Sequence, residues 1–208
     1  MIRNVVAWVA ARCDRPWLVV GKGPSFDRLP ADAVLRYRTL ALNHVCLKFP
    51  ADLVHFSDLE AYIDCAPALQ HHEYNKYSTA VVMPWHPHHL FKPTRETLDN
   101  WMQQTRMMRE LAEAGLLLSY NSTVAHKLPL NPVLPILTVR YFSAVAAVSI
   151  LCAAGVKLIH TVGVDGGTNY SPAFDDKNRL ANGRTSFDIQ FHVIDQILGQ
   201  HKAKLVRL

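Results

Sequence analysis

Short apolar runs recur along the chain, and most of them stop at small or polar residues. They cover residues 17–20, 39–42, 53–56, 79–83, 158–162 and 204–207. The first run, Trp-Leu-Val-Val, has no polar residue in alternation, which is typical of a strand buried on both faces. Several of these runs are separated by helical patterns. Strands that alternate with helices predict an α/β fold, here a Rossmann-like α/β/α domain with a mainly parallel sheet.

Three longer stretches have the composition or the spacing of helices, namely residues 94–114, 142–154 and 187–199. The first begins at Thr94, a candidate N-cap, and the first two end before a glycine, a common helix stop. The second is almost entirely apolar, so we expect a buried helix there. Prolines predict that residues 84–93 and 128–135 are loops without regular structure.

Small or polar residues follow the ends of several predicted strands, namely Ser25, Asn43, Ser57, Asp58, Asp165 and Gly166. The carboxyl ends of parallel strands line one crevice of an open α/β sheet, and ligands bind there. We therefore expect these six residues to converge on a single site.

The first strand runs directly into a glycine turn of sequence Gly21-Lys22-Gly23-Pro24-Ser25. Gly21 and Gly23 permit a close approach of a ligand to the main chain. Pro24 fixes its own φ and Ser25 offers a hydroxyl. Taken alone, this turn fits a nucleotide-binding loop and a plain strand-ending turn equally well.

The composition is that of a globular protein with one domain over residues 1–208, in which half the residues are hydrophobic and 19% are charged. No apolar run approaches the roughly 18 residues of a membrane span. The apolar N-terminal stretch leads into Arg12, Asp14 and Arg15, which favours an amphipathic first helix over a signal peptide. The four cysteines form no CxxC pair, so we expect buried free thiols and a cytoplasmic protein.

The formal charge of +5 and the pI of about 9.1 predict an anionic partner. Nucleotide phosphates, nucleic acid and a membrane surface all fit that charge. The charges are scattered, so a basic tract for nucleic acid is not indicated, although folding can still create a basic groove. The oligomeric state is left open by the sequence.

Further motifs follow the glycine turn in order along the chain: Asn43, Ser57-Asp58, residues 141–144 (Tyr-Phe-Ser-Ala), residues 163–165 (Gly-Val-Asp) and residues 169–175 (Asn-Tyr-Ser-Pro-Ala-Phe-Asp). This order resembles the bacterial sialyltransferases that use CMP-N-acetylneuraminate, within a wider superfamily of sialyltransferase-like and pterin-pyrophosphokinase-like Rossmann domains. The resemblance implies that Asn43 contacts cytidine and that Ser57 or Asp58 makes a second polar contact. It also places Ser143 at the opening of the buried helix.

Two positions depart from the family pattern. Lys22 stands where the family has asparagine in the glycine turn, and a lysine there can bind phosphate as a point charge. The family's catalytic histidine precedes the last helix, but the corresponding position here falls at Gly183, beside Arg184. The general base is therefore left unassigned by the resemblance.

Sialyl transfer needs a grip on CMP, stabilisation of the leaving phosphate and a base for the acceptor hydroxyl. The glycine turn, Asn43 and Ser143 suit the grip, while Tyr170 and Arg184 suit the leaving phosphate. Several residues compete for the role of base: His86, His88, His89, His192, Asp165 and Asp188. Asp165, at a strand end, is the preferred carboxylate. Asp188, at a helix start, is favoured there by the helix dipole even without a function.

A metal site is not predicted. The sequence His86-Pro87-His88-His89 has the composition of a zinc site, but a histidine-rich loop that covers the substrate is favoured over zinc, and a plain exposed loop is favoured over both. The resemblance implies no cofactor for sialyl transfer, because the nucleotide sugar is a co-substrate.

We therefore predict a glycosyltransferase that moves a sugar from a nucleotide sugar, specifically a CMP-sugar, to a glycan or another hydroxyl acceptor. Three alternatives stay open at this point. They are a pterin-type pyrophosphokinase that uses ATP and Mg²⁺, a phage-type glycosyltransferase that modifies nucleic acid, and a nucleotide-binding module without catalysis.

Overall fold

A parallel β-sheet forms the centre of the computed structural model, which describes residues 1–70, 79–90, 92–140, 142–174 and 186–208. Its strands are β1 (Arg3–Asn4), β2 (Trp17–Val20), β3 (Arg38–Leu42), β4 (Leu53–His55), β5 (Ala80–Pro84), β8 (Leu117–Ser122), β9 (Ile136–Leu137), β10 (Leu158–Val162) and β11 (Lys204–Arg207). The strand order is β1-β8-β5-β4-β3-β2-β10-β11, and β9 pairs with Asn121 and Ser122 at the end of β8. Each of these pairs is parallel.

Helices cover both faces of the sheet. In the described residues they are α1 (Val5–Ala10), α2 (Ala33–Arg36), α3 (Leu59–Gln70), α4 (Leu98–Gln104), α5 (Arg106–Glu113), α6 (Ser143–Ala153) and α7 (Ile189–His201). Short 3₁₀ turns lie at Pro24–Arg28, Asn43–Leu47 and Thr123–Ala125. No helix among the described residues is long and apolar enough to cross a membrane.

The central strand β2 is buried on both faces, as its unbroken apolar sequence predicts. Trp17 and Val19 belong to a core with α1, α6 and α7, whereas Leu18 and Val20 belong to a core with α3 and α5. The α6 helix is buried over most of its length in the first of these cores. The predicted α/β/α architecture with a parallel sheet is therefore confirmed.

The strand order reverses direction beside β2. From β2 the chain proceeds outward through β3, β4 and β5, and then returns to place β10 on the opposite side of β2. An open α/β sheet forms its ligand crevice at such a switch point, outside the carboxyl ends of the strands. The glycine turn and residues 163–165 are the loops that border this crevice.

Strand β8 is absent from the sequence prediction because half of it is polar. Ser119, Tyr120, Asn121 and Ser122 are all buried. They are tolerated there because their polar groups have partners: Ser119 Oγ donates to the Met83 carbonyl at 2.9 Å, and Asn121 Nδ2 donates to backbone carbonyls of the following loop. These hydrogen bonds are made to residues distant in the sequence. No local sequence pattern therefore shows that the polar residues are buried.

Two other local predictions were wrong. The predicted helix over residues 94–114 is two helices, capped by Thr97 rather than Thr94 and separated at Thr105, whose backbone is extended. The proline-rich residues 84–93 contain a short antiparallel hairpin, with β6 at His88–His89 and β7 at Lys92–Pro93. Pro93 fits because it lies at the end of an isolated edge strand, where a missing N–H is tolerated.

The four cysteines are free. Cys46, Cys65 and Cys152 are buried, as expected, but Cys13 is exposed because it follows α1 at the surface.

Candidate nucleotide-binding site

Two glycine turns cross at the carboxyl ends of β2 and β10. The Gly21 N–H donates to the Val162 carbonyl at 2.8 Å, and the Gly23 N–H donates to the Gly163 carbonyl at 2.7 Å. A Cβ atom on Gly21 would overlap the carbonyl oxygen of Gly163, and a Cβ on Gly163 would overlap that of Gly21. Gly163 also has a φ of 67°, which favours glycine. The two turns thus need glycine in order to pack backbone against backbone.

Asp165 fastens these turns together. Its carboxylate accepts hydrogen bonds from the Ser25 N–H at 2.7 Å and from Ser25 Oγ at 2.9 Å. Ser25 Oγ in turn accepts from the Gly163 N–H at 2.7 Å. The predicted catalytic carboxylate therefore holds the turns in place, and its role as a base stays a prediction.

A cavity of about 390 Å³ lies above the crossing, a size typical of small-molecule sites. It is lined by most of the residues predicted from the sequence, namely Gly21, Lys22, Gly23, Asn43, Ser57, Asp58, Ser143, Asp165 and Tyr170. Of the six strand-end residues expected to converge, Asn43, Ser57, Asp58 and Asp165 line this cavity, whereas Ser25 and Gly166 do not.

Three side chains from different elements form a polar chain on one wall of the cavity. Asn43 Nδ2 donates to Ser143 Oγ at 3.1 Å, and Ser143 Oγ lies 3.3 Å from Ser57 Oγ. Asn43 has a φ of 51°, a left-handed conformation that asparagine tolerates better than most residues. Its Oδ1 is buried and has no hydrogen-bond partner in the described part of the chain. This wall therefore offers a ligand an acceptor on Asn43, beside the N-terminus of α6, where the helix dipole favours anions.

Another part of the cavity lining is aromatic and carries a cation. Tyr170 contacts Phe187 edge to face at 5.5 Å between ring centroids, and Phe187 contacts Phe142 at 5.2 Å. Lys22 Nζ lies 4.9 Å from the centroid of the Tyr170 ring. The loop of Tyr170 is held by Ser171, whose N–H donates to the Lys22 carbonyl at 2.8 Å. The ammonium group gives this part of the lining a positive charge that can bind an anionic group of a ligand.

Asp58 and His88 form a pair on the rim of the cavity. His88 Nδ1 lies 3.8 Å from Asp58 Oδ1. Burial, with a smaller effect of Glu60, raises the pKa of Asp58 to about 6. Burial lowers the pKa of His88, although Glu60 opposes this. Both shifts of pKa favour the uncharged form of the group, because burial penalises the charged form.

Other predicted site residues lie outside the cavity lining. Pro24 and Ser25 belong to the 3₁₀ turn behind the crossing. Asp188 is exposed at the start of α7, where it accepts hydrogen bonds from the Gly167 N–H at 3.1 Å and from Ser186 Oγ. These two bonds lower the pKa of Asp188, that of Ser186 having the larger effect. Gly166 packs against Asp188, whose Oδ1 a Cβ atom would overlap.

The predicted residue Arg184, the neighbouring Gly183 and the last residue of the Ala-Phe-Asp motif, Asp175, lie outside the described residues, as does Tyr141. The other two residues of that motif, Ala173 and Phe174, are described, and Phe174 is buried against Phe26 at 4.9 Å between ring centroids.

Sequence reasoning missed part of the lining, namely Leu42, Pro93, Val124, Val139, Phe142, Ala144, Val164, Asn169, Phe187 and Gln190, and left His88 among several candidates. Gln190 is buried and donates to the Asp165 carbonyl at 3.1 Å. The position of Gln190 in the first turn of α7 was the only signal that could have found it. No sequence signal placed Phe142 and Phe187 in the cavity lining, because their contact with each other depends on how the loops fold.

The histidines of residues 86–89 point to separate partners. His86 Nε2 bonds the Pro129 carbonyl at 2.8 Å, and His89 Nδ1 lies 2.6 Å from Glu60 Oε1. Within the described ranges, no three His, Cys, Asp or Glu side chains are grouped so as to hold a metal ion. Of the remaining candidate bases, His192 is exposed on α7 beside Gln196.

Solved structures share this fold across most of the chain. The sialyltransferase CST-II, in complex with a trisaccharide acceptor and CMP, is 18% identical with a TM-score of 0.55, covering 93% of this chain and 81% of that one. The alpha-2,3-sialyltransferase Cst-I from Campylobacter jejuni is 15% identical with a TM-score of 0.58, covering 95% of this chain and 76% of that one. The MAf glycosyltransferase from Magnetospirillum magneticum AMB-1 is 13% identical with a TM-score of 0.58, covering all of this chain and 34% of that one.

No protein-family model and no curated protein matches the chain. The sialyltransferase-like fold that the motifs predicted is therefore established by three-dimensional similarity.

Proposed function

We propose that the protein is a glycosyltransferase that moves a sugar from a CMP-sugar to a hydroxyl acceptor. The observation that carries this proposal is the cavity at the switch point of the sheet, whose lining combines the polar chain of Asn43, Ser143 and Ser57 with Lys22 and Tyr170. Residues 1–208 act in this proposal as one transferase domain in the cytoplasm. No cofactor is required, because the donor is a co-substrate.

The polar wall suits a cytidine. Asn43 Oδ1 is a buried acceptor without a partner among the described residues, and such a group is stabilised when a ligand amino or hydroxyl group donates to it. Ser57 and Ser143 add hydroxyls that donate or accept. Gly21, Gly23 and Gly163 line the cavity beside them, so a ribose or phosphate can lie against their backbone.

Lys22 and Tyr170 suit the phosphate. When the bond from the sugar to the phosphate oxygen breaks, its electron pair stays on the phosphate of CMP, and the negative charge there increases. An ammonium group and a phenol hydroxyl already in place stabilise that charge. Arg184, which lies outside the described residues, is assigned the same task in this proposal.

Two comparisons with solved proteins support the choice of donor. The CST-II structure contains CMP and a trisaccharide acceptor, and a second structure of that enzyme from Campylobacter jejuni contains the analogue CMP-3FNeuAc. A glycan acceptor is the corresponding proposal for this chain.

A thermal-shift series with CMP, CDP, UDP, ADP and ATP, each with and without Mg²⁺, tests the proposal. We expect CMP and CDP to raise the melting temperature without metal, because binding to the folded state stabilises it. A shift with ATP alone that requires Mg²⁺ would support the pyrophosphokinase instead. Salt-sensitive retention on duplex DNA would support a nucleic-acid acceptor.

A Lys22→Ala variant separates the phosphate contact from the nucleoside contact. Lys22→Ala should weaken CMP binding about tenfold and leave cytidine binding unchanged, because cytidine has no phosphate. Asn43→Ala should weaken both ligands. Isothermal titration with CMP and cytidine measures the difference, and equal losses for both ligands with Lys22→Ala would contradict the assigned contact.

A further inference from the structure

The cavity contains a histidine, although the chain has none at the position where the sialyltransferases carry their catalytic histidine. His88 lines the cavity from the hairpin of β6 and β7, and it is the only histidine among the described lining residues. Residues 175–185 lie outside the described ranges, and their sequence contains no histidine. A base for the acceptor hydroxyl must therefore come from elsewhere in the fold.

The backbone fixes the place of His88 against the end of β4. The His88 N–H donates to the Ser57 carbonyl at 2.8 Å, and residues 58 and 88 form a parallel β-bridge. The hairpin tip is tied to Glu60, which accepts from the Leu90 N–H at 3.0 Å and from His89 Nδ1 at 2.6 Å. Two separate contacts thus hold the hairpin over the cavity.

Asp58 lies beside the ring of His88. The Nδ1 atom faces Asp58 Oδ1 at 3.8 Å, and this oxygen is buried without a hydrogen-bond partner among the described residues. The distance is longer than a hydrogen bond, but catalytic contacts often shorten when substrate binds. A proton on Nδ1 would satisfy Asp58 and leave Nε2 as a free acceptor.

We propose that His88 is the general base of the transfer and that Asp58 is its positioning residue, an assignment that rests on the proposed function. The acceptor O–H gives its proton to His88 Nε2 while the acceptor oxygen forms a bond to the anomeric carbon of the sugar. The bond from that carbon to the phosphate oxygen breaks, and its electron pair leaves with CMP. The imidazolium on His88 is stabilised by the Asp58 carboxylate.

Kinetics with CMP-N-acetylneuraminate as donor and lactose as acceptor test the assignment. We expect His88→Gln to lower kcat for CMP release by about 10²-fold or more, with a CMP dissociation constant within about threefold of wild type. His192→Gln is the matched control, because His192 is exposed on α7 and lies outside the cavity lining. It should leave kcat within about twofold.

The pH dependence provides a second readout, which a merely structural histidine would not change. The titratable groups that act on His88 are Asp58 and Glu60 at the start of α3 and His55 at the end of β4. Because the base must be unprotonated, activity should rise with pH through the pKa of His88. Asp58→Asn removes a negative neighbour, so it should move this acid limb to lower pH and reduce kcat.

NMR of protein labelled at histidine Cε1 tests the assignment of His88 without an acceptor, so it works even if lactose is a poor acceptor. Addition of CMP should shift the His88 resonance and raise its pKa, because a phosphate dianion enters the same cavity. The resonance of His192, exposed on α7, should not move.

Different results contradict different claims. A wild-type protein that binds no cytidine nucleotide contradicts the proposed function. A wild-type protein that binds CMP, with a His88 resonance that does not respond or with full transfer by His88→Gln, overturns the assignment of His88 alone. Loss of transfer in Asp58→Asn but not in His88→Gln would make Asp58 itself the base.

Discussion

Burial makes the Asp58 carboxylate harder to ionise than an exposed one. Its pKa of about 6 in the folded protein lies well above the value of an unfolded aspartate. Between about pH 4 and 6 the folded state therefore binds more protons than the unfolded state, and stability falls as the pH rises through this window. A buried carboxylate that lowers the stability of the fold at neutral pH is more easily explained by a function than by a structural role.

Asp58→Asn should accordingly stabilise the protein at pH 7 by about 1–3 kcal/mol, because it removes the buried charge. Asparagine is also a good residue at the start of a helix, so α3 should be unaffected. Urea denaturation of both proteins at pH 4 and pH 7 measures this. The difference should nearly vanish at pH 4, where the wild-type carboxyl is protonated in the folded state. A variant less stable than wild type at pH 7 would contradict the interpretation.

Individual site residues differ in how far the sequence reveals them. Asn43, Ser57 and Asp58 directly follow apolar runs, so parallel pairing alone brings them together. His88 lies 30 positions beyond Asp58 in a proline-rich stretch. Its contact with Asp58 comes from a β-bridge between two loops, which no local periodicity predicts.

At the level of elements, the crossing of the two glycine turns leaves no space for a side chain at Gly21 or Gly163. Gly21→Ala should lower the free energy of unfolding by about 3 kcal/mol, because the added methyl meets the backbone of Gly163, which cannot move as a side chain can. Gly199→Ala is the matched control in α7, where a Cβ meets nothing within 4 Å. It should raise stability by about 0.5–1 kcal/mol. Urea denaturation distinguishes the two, and equal effects would show that the crossing tolerates a side chain.

Asp165 joins the same two turns and offers a direct test of its two possible roles. Asp165→Asn loses a charged acceptor for the Ser25 N–H and hydroxyl, so we expect a loss of about 2 kcal/mol in stability together with weaker CMP binding. Asp195→Asn, an exposed change on α7, should have little effect. A stable Asp165→Asn protein that binds CMP but has no turnover would instead support Asp165 as a catalytic group.

Elements with a continuous apolar pattern were predictable and those with mixed patterns were not. The apolar runs correspond to β2, β3, β4, β5, β10 and β11, and the apolar helix to α6. Strand β8 and the hairpin were missed because tertiary hydrogen bonds and bridges, rather than residue preferences, decide their structure.

For the whole molecule, the carboxyl ends and the amino ends of the parallel strands have different roles. The carboxyl edge bears the cavity, whereas the amino edge bears an ion-pair network in which Arg38 bonds Asp14 and Asp52 at 2.8–2.9 Å. Asp52 also accepts from the Thr39 N–H at 2.8 Å and from its hydroxyl at 2.9 Å. The pKa of Arg38 is raised, chiefly by its bond to Asp14.

Asp52→Ala should therefore destabilise the fold by about 2 kcal/mol and leave CMP affinity unchanged, because the network lies at the edge away from the cavity. Asp32→Ala is a suitable control, since the Asp32–Arg36 pair is 3.7 Å apart and more than half exposed on both sides. Unfolding curves and CMP titrations of both variants check the separation. A large loss of CMP affinity in Asp52→Ala would contradict it.

The hairpin of residues 88–93 has a consequence for how such a protein can change. The groups proposed to hold the donor lie mostly on sheet ends and buried helix, whereas the proposed base lies on a short excursion tied down at Ser57 and Glu60. Replacement of the hairpin by another loop would leave the crossed glycine turns intact. A lineage could then exchange one acceptor for another by altering a few residues, while it inherits its nucleotide specificity unaltered.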